Sequence, residues 1–222
     1  MKVIAHIRSD FPTKFGLPRQ SGLTDVKSTV VFEPEYRNPD ALKGLEGFSH
    51  VWLLWHFSEA EREDWSPTVR PPKLGGNKRV GVFATRSPFR PNAIGLSSVK
   101  LEAIKDTKDG KVLVISGADL ADGTPIFDVK PYLAYTDSHS DATGGFTENI
   151  SNAKLNVELS AEISAKLPSE KLDGLISVLE QDPRPGYHDD PDRVYGFLYA
   201  GREVKFKVSN KNLTVISIKP ED

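Results

Sequence analysis

Short runs of alternating apolar and polar residues fill the first two thirds of the chain. Residues 2–8 and 28–33 (Ser28-Thr29-Val30-Val31-Phe32-Glu33) have the alternation of half-buried strands. Ser49 to Phe57 is instead an unbroken aromatic-rich run, the pattern of a strand buried on both faces. Further strands are predicted over Arg79–Thr85, Ile94–Ile104, Lys111–Ser116 and Pro125–Tyr132, with Asp109-Gly110 as a hairpin turn. A polar loop marked by Gly and Pro, Phe11 to Lys27, separates the first two strands. Asn38-Pro39-Asp40 starts a short helix, with Asn38 as N-cap, Pro39 in the first turn and Asp40 at the positive helix end. Six to eight short strands with almost no helix predict a closed or nearly closed β-barrel, which removes sheet edges. They argue against a doubly wound α/β sheet, in which helices alternate with strands.

The pattern changes past residues 136–152, where Ser140-Asp141-Ala142-Thr143-Gly144-Gly145 has the composition of a linker. Leu172, Leu175, Ile176 and Leu179 then fall at the spacing of an amphipathic helix over residues 168–181. Strands follow at 193–200, 202–208 and 213–219, with Ala200-Gly201 as a tight turn. The expected protein is mainly β: a barrel domain over 1–145 and a small α+β domain over 155–222.

Composition narrows the chemistry. A hydrophobic content of 38% in 222 residues suits a packed core. There is no cysteine, hence no disulfide, thiolate nucleophile or Cys-ligated zinc. The five histidines (His6, His50, His56, His139, His188) show no H-x-x-x-H spacing, so no metal is expected. Met1 to Arg8 reads as a strand rather than a signal segment, and the longest apolar run, Val51 to Trp55, is far too short to span a membrane. The expectation is a cytoplasmic protein. Charge, finally, is uneven. Residues 65–101 hold seven basic side chains (Arg70, Lys73, Lys78, Arg79, Arg86, Arg90, Lys100) and no acidic one, leaving 22 basic against 31 acidic residues elsewhere. Rigid Gly/Pro loops carrying Arg beside aromatics suit phosphate and nucleobase binding, although a solvated basic face would have the same composition.

There is no glycine-rich dinucleotide fingerprint and no P-loop. Several short segments remain. Pro18-Arg19-Gln20 sets a fork donor and an amide beside a rigid turn, and is also an ordinary surface turn. His56 ends the aromatic strand, where side chains emerge at a barrel rim, as a ligand or as a satisfied rim histidine. Arg86 and Arg90 flank Ser87-Pro88-Phe89 on stiff backbone, which favours anion binding. Asp119-Leu120-Ala121-Asp122-Gly123 offers carboxylates to an amine or to ribose hydroxyls, or forms a plain Asx turn.

Together these segments strongly resemble the TsaA-like, or TrmO, family. The resemblance is carried by Arg70-Pro71-Pro72-Lys73-Leu74-Gly75-Gly76-Asn77, by Gly81 to Gly95 with Arg86-Ser87-Pro88-Phe89-Arg90-Pro91-Asn92 at its centre, and by Asp122 to Tyr132. Pro18-Arg19-Gln20, Gly44 to His50, and Gln181-Asp182-Pro183-Arg184-Pro185 with Tyr187 extend it over nearly the whole chain. It implies an S-adenosyl-L-methionine-dependent methyltransferase on a β-barrel, a homodimer acting on N6 of threonylcarbamoyladenosine beside the anticodon of tRNA. By the same resemblance the cofactor is held by Pro18, Arg19, Gln20, His56, Phe57, Arg86, Leu96, Asp119, Leu120, Ala121, Asp122 and Gly123.

The target nitrogen links adenine to a carbamoyl group and is a poor nucleophile until its proton leaves. Asp122, Asp128 and His56 are the candidate catalytic bases, with no choice among them. Arg90 or Lys130 would meet the threonyl carboxylate, and Phe89 would stack on a base or pack in the barrel. Two other readings compete: a non-catalytic RNA-binding β-barrel, and a methyltransferase acting on a small metabolite.

Overall fold

The structure, a computed structural model, describes residues 1–60, 64–71, 74, 78–148, 153–184 and 190–221. Pro72-Lys73, Gly75-Gly76-Asn77, Pro185, Tyr187 and His188, singled out in the sequence, lie outside the described residues. In chain order the elements are β1 (Ala5–Arg8), β2 (Lys27–Phe32), β3 (His50–His56), β4 (Thr68–Val69), β5 (Val80–Gly81), β6 (Ile94–Thr107), β7 (Gly110–Ser116), β8 (Pro125–Pro131) and α1 (Ala134–Asp137). They continue with β9 (Asn156–Glu158), α2 (Ala161–Ser164), α3 (Ser169–Glu180), β10 (Tyr195–Tyr199), β11 (Arg202–Ser209) and β12 (Asn212–Pro220). Six strands close into a barrel in the order β1-β2-β7-β6-β3-β8. All its pairs are antiparallel, and β8 returns to β1 through Ala5 opposite Ile126. Closure pairs every strand on both sides, so the short, strongly β-prone segments leave no open edge.

Strand alternation fills the barrel with Ala5, Ile7, Val30, Val51, Leu53, Trp55, Val99, Leu113, Ile115 and Ile126. Against expectation, β3 is not buried on both faces. Val51, Leu53 and Trp55 are buried, while Trp52, Leu54 and His56 are half-buried, because one side of a barrel wall faces outward. Asn38 caps as predicted, accepting the Asp40 N–H at 3.0 Å, but Pro39–Leu42 is a single 3₁₀ turn. Arg79–Thr85 is likewise not a full strand. Only Val80–Gly81 pairs, with Thr68–Val69, before a 3₁₀ turn over Val82–Ala84. There the Val82 side chain turns into the interior and the Val82 carbonyl accepts from both the N–H and the hydroxyl of Thr85, which bends the chain out of extended geometry.

The second sheet has the order β10-β11-β12-β9, with β9 parallel to β12. Helix α3 lays Leu175, Val178 and Leu179 into its core. That core also takes Phe11 and Val26 from the loop joining β1 to β2, and the Phe11 ring lies 5.2 Å from Tyr199. The loop is fastened further by Ala200 N–H to the Asp10 carbonyl and by the ion pairs Lys171–Asp10 and Lys27–Glu170. Thus the C-terminal sheet fixes a loop that leads back to the barrel.

Candidate cofactor site at the barrel mouth

The site begins inside the barrel. Gly95 on β6 stands opposite Trp55 on β3, and a Cβ there would sit 2.1 Å from the indole. Without that carbon the Trp55 ring fits, and its Nε1–H donates to Ser97 Oγ at 3.0 Å. The Ser97 hydroxyl in turn donates to the Asp119 carboxylate at 2.6 Å. This relay holds Asp119 half-buried just past β7. Burial pushes its carboxyl above the ordinary value, against the pull of Ser97, its own backbone, the Arg86 charge and the Ser21 backbone. Arg86, close enough to act on Asp119, donates from a guanidinium N–H to Gln20 Oε1 at 2.6 Å. Gln20, Arg86 and Asp119 therefore converge from three separate segments. Phe57 packs against Trp55, the ring centroids 4.2 Å apart.

The loop bearing Gln20 is tied down at Pro18 and Arg19. Pro18 is buried. Arg19 donates to the carbonyls of Asp182 at 2.9 Å and Arg184 at 2.7 Å. Arg184 closes the clasp with two 2.8 Å bonds to the Asp182 carboxylate, while Asp182 holds a positive φ of 50°. One terminal nitrogen of the Arg19 guanidinium is thus already committed to the C-terminal part.

The segment from Asp119 to Gly123 is sewn to the end of β1. Asp122 N–H donates to the Phe11 carbonyl at 2.7 Å, Gly123 N–H to the Ile7 carbonyl at 2.9 Å, and Ser9 N–H to Asp122 Oδ1 at 2.9 Å. Leu120 and Ala121 are buried, whereas Asp122 and Gly123 are exposed, with Arg8 3.7 Å from Asp122.

The other sequence candidates lie elsewhere. On β6, Ser97 faces into the barrel and Leu96 faces out, 53% exposed, opposite Leu54. His56 is on the same outer wall, its ring 5.5 Å from Phe127. Asp128 and Lys130 share that wall and pair at 2.7 Å. Arg90 donates to the carbonyls of Thr85 and Ser87, bracing its own loop, and Phe89 is half-buried beside it. His56, Leu96, Asp128 and Lys130 thus share the outer wall, while Asp119 is bonded to the inward-facing Ser97. Sequence reasoning missed Trp55, Ser97 and Ser9; the spacing Gly95-Leu96-Ser97 is the one trace of the relay. Among the described residues no His, Asp and Glu cluster is arranged for a metal, and no helix is long and apolar enough to cross a membrane.

A closed antiparallel barrel that gathers a carboxylate, a guanidinium and an amide, with an appended sheet that anchors the loop bearing the amide, defines a β-barrel protein with a candidate small-ligand site. It stands apart from the doubly wound nucleotide-binding folds. The chain belongs to the tRNA-methyltransferase O family, whose N-terminal domain matches residues 6–138 and whose C-terminal domain matches residues 152–221. It is 39% identical over 226 residues to the tRNA (adenine(37)-N6)-methyltransferase of Escherichia coli K12, covering 98% of this chain and 96% of that protein. It is 47% identical over 162 residues to the enzyme of the same name from Eikenella corrodens, covering 72% of this chain and 91% of that one. A crystal structure of TrmO from Pseudomonas aeruginosa superposes with a TM-score of 0.80 at 34% identity, over 100% of this chain and 97% of that one.

Proposed function

We propose that this chain transfers a methyl group from S-adenosyl-L-methionine to N6 of adenine 37 in tRNA, and that the adenine carries a threonylcarbamoyl group. The observation that carries the reading is the convergence of Gln20, Arg86 and Asp119 at the barrel mouth, in a chain alike over nearly its full length to enzymes named for this reaction. The residues fit the cofactor. Asp119 and Asp122 offer carboxylates to hydroxyl and cationic groups, Arg86 offers a fork donor, and half-buried Phe57, backed by buried Trp55, gives an apolar surface. When bound, the cofactor supplies an electrophilic methyl on a sulfonium, so this chain's part is alignment, water exclusion and proton removal.

For the proton, Asp122 is the acceptor we favour. Ser9 fixes its orientation and it stands in the same segment as Asp119, with Arg8 3.7 Å away, whereas Asp128 is paired more tightly with Lys130 at 2.7 Å. Arg90 or Lys130 is the cation for the threonyl carboxylate; each already has a partner, Arg90 in its own loop and Lys130 in Asp128. His56, Leu96, Asp128 and Lys130 lie on the outer wall, which suits a homodimer in which a second copy covers that wall. The same proposal divides the chain into a barrel domain over 1–145 and an α+β domain over 155–222, working in the cytoplasm.

The purified chain, S-adenosyl-L-methionine and tRNA with or without the threonylcarbamoyl group test this, with nucleosides read by mass spectrometry. One added methyl on the threonylcarbamoyl nucleoside alone is expected. A methyl on plain adenosine would reassign the substrate, and no methyl on either tRNA would overturn the reading.

A further inference from the structure

We propose that Trp65 and Phe83 form a nucleobase-stacking platform that seats unpaired bases of the RNA beside the barrel mouth; this rests on tRNA being the substrate. Large aromatic rings are seldom left in water without use. Of the three tryptophans, Trp55 is buried and Trp52 is half-buried with its N–H on Asp137, while Trp65 is 48% exposed. Phe83 is 72% exposed. Their centroids lie 6.0 Å apart with planes 20° from parallel, so the two rings form a stacked, exposed apolar pair.

The surface stands on fixed backbone. Phe83 sits in a 3₁₀ turn beside buried Val82, whose N–H donates to the Pro67 carbonyl. Next to Trp65, Ser66 donates its N–H to the Phe89 carbonyl and its hydroxyl to the Thr68 carbonyl at 2.6 Å. Preset rings lose little freedom when a base stacks on them.

Charge identifies the occupant. The hairpin rising from these rings carries exposed Arg70, Lys78 and Arg79, and Arg79 is braced on Thr68 Oγ1 at 2.9 Å. Residues 65–101 contain no acid, while Glu59, Glu61, Glu63 and Asp64 precede Trp65 in the sequence, so the rings lie where the charge changes sign. Uncharged bases on the rings with phosphates toward the arginines is the arrangement of single-stranded nucleic acid on an aromatic, cationic surface. Phe83 is three residues before Arg86 of the mouth, so a base on the platform has its neighbours within reach of the site. Phe89, the stacking candidate from the sequence, is half-buried; Phe83 is the exposed ring.

Trp65 is its own probe. Anticodon stem-loop RNA added to the full chain should quench tryptophan emission, and Trp65→Phe should abolish that quenching while RNA still binds. Phe83→Ala and Trp65→Ala should each weaken RNA binding roughly tenfold. Affinity for S-adenosyl-L-methionine, the circular dichroism spectrum and the slope of RNA affinity against salt should not change. Quenching that survives Trp65→Phe, or RNA affinity unchanged in both alanine variants, would overturn the platform. So would loss of a dimer in sedimentation by those variants, which would assign the rings to a second copy. If the wild-type chain binds no RNA, the substrate reading falls as well; if it binds and methylates RNA without the variants mattering, only the platform falls.

Discussion

Asp119 is the residue in which packing and chemistry meet. Its carboxyl is held by Ser97, which is held by Trp55, which fits because residue 95 has no side chain. Burial raises its pKa above 3.8, so the folded protein binds that proton more tightly than the unfolded chain. The sign follows: this contribution to stability is fully present below pH 3.8 and is lost as pH rises through the raised folded value. Asp119→Asn removes it. In urea unfolding from about pH 4 to about pH 7, the stability of the variant relative to wild type should rise with pH. Parallel curves would show that Asp119 is not the titrating group. Gln20, Arg86 and Asp119 were legible as candidates because they stand in recognisable motifs. Ser97 was not, because a serine in an alternating strand looks like any other until its hydroxyl is placed between an indole and a carboxylate.

At the scale of elements, the connection between β1 and β2 does more than join strands. It lends Phe11 and Val26 to the C-terminal core, and near its middle Arg19 grips two carbonyls of the 182–184 segment. Gln20, the next residue, then meets Arg86. Arg184 fixes the Asp182 turn whose carbonyl Arg19 grips, which links it to the loop bearing Gln20. Losing a charged, largely buried hydrogen-bonded pair of this kind costs about 1.5–3 kcal/mol. If part of that is felt at Gln20, Arg184→Ala should weaken S-adenosyl-L-methionine binding about tenfold in calorimetry. Far-UV circular dichroism should be unchanged, and undiminished cofactor affinity would sever the link. The strands β2, β6, β7 and β8, the helix α3 and the Ala200-Gly201 turn were predicted from period and turn chemistry. The three-residue β9 is too short to show a period, and β5 ends after Gly81 because only Thr68–Val69 is there to pair with it.

For the molecule as a whole, charge sets the encounter with RNA. The net charge is −2, yet residues 65–101 carry +7, so a polyanion is repelled by most of the chain and attracted to one part. If Arg70, Lys78 and Arg79 meet phosphates, the logarithm of tRNA affinity should fall with the logarithm of salt at a slope of about −2. A flat line in filter binding across salt would remove the basic window from the interface. The sequence by itself determined that the chain is mainly β, that it closes as a barrel with a small α+β unit after it, where the charge lies, and which motifs align with its family. These are properties of neighbouring residues, of period, turn and composition, and local order is enough to read them. Only the tertiary structure decided which candidates share a cluster, that Arg19 is committed to the C-terminal segment, and that His56 and Leu96 face away from Asp119. Those facts depend on groups 66 to 165 residues apart along the chain, Gln20 with Arg86 and Arg19 with Arg184, which meet because barrel closure and a shared core bring them together.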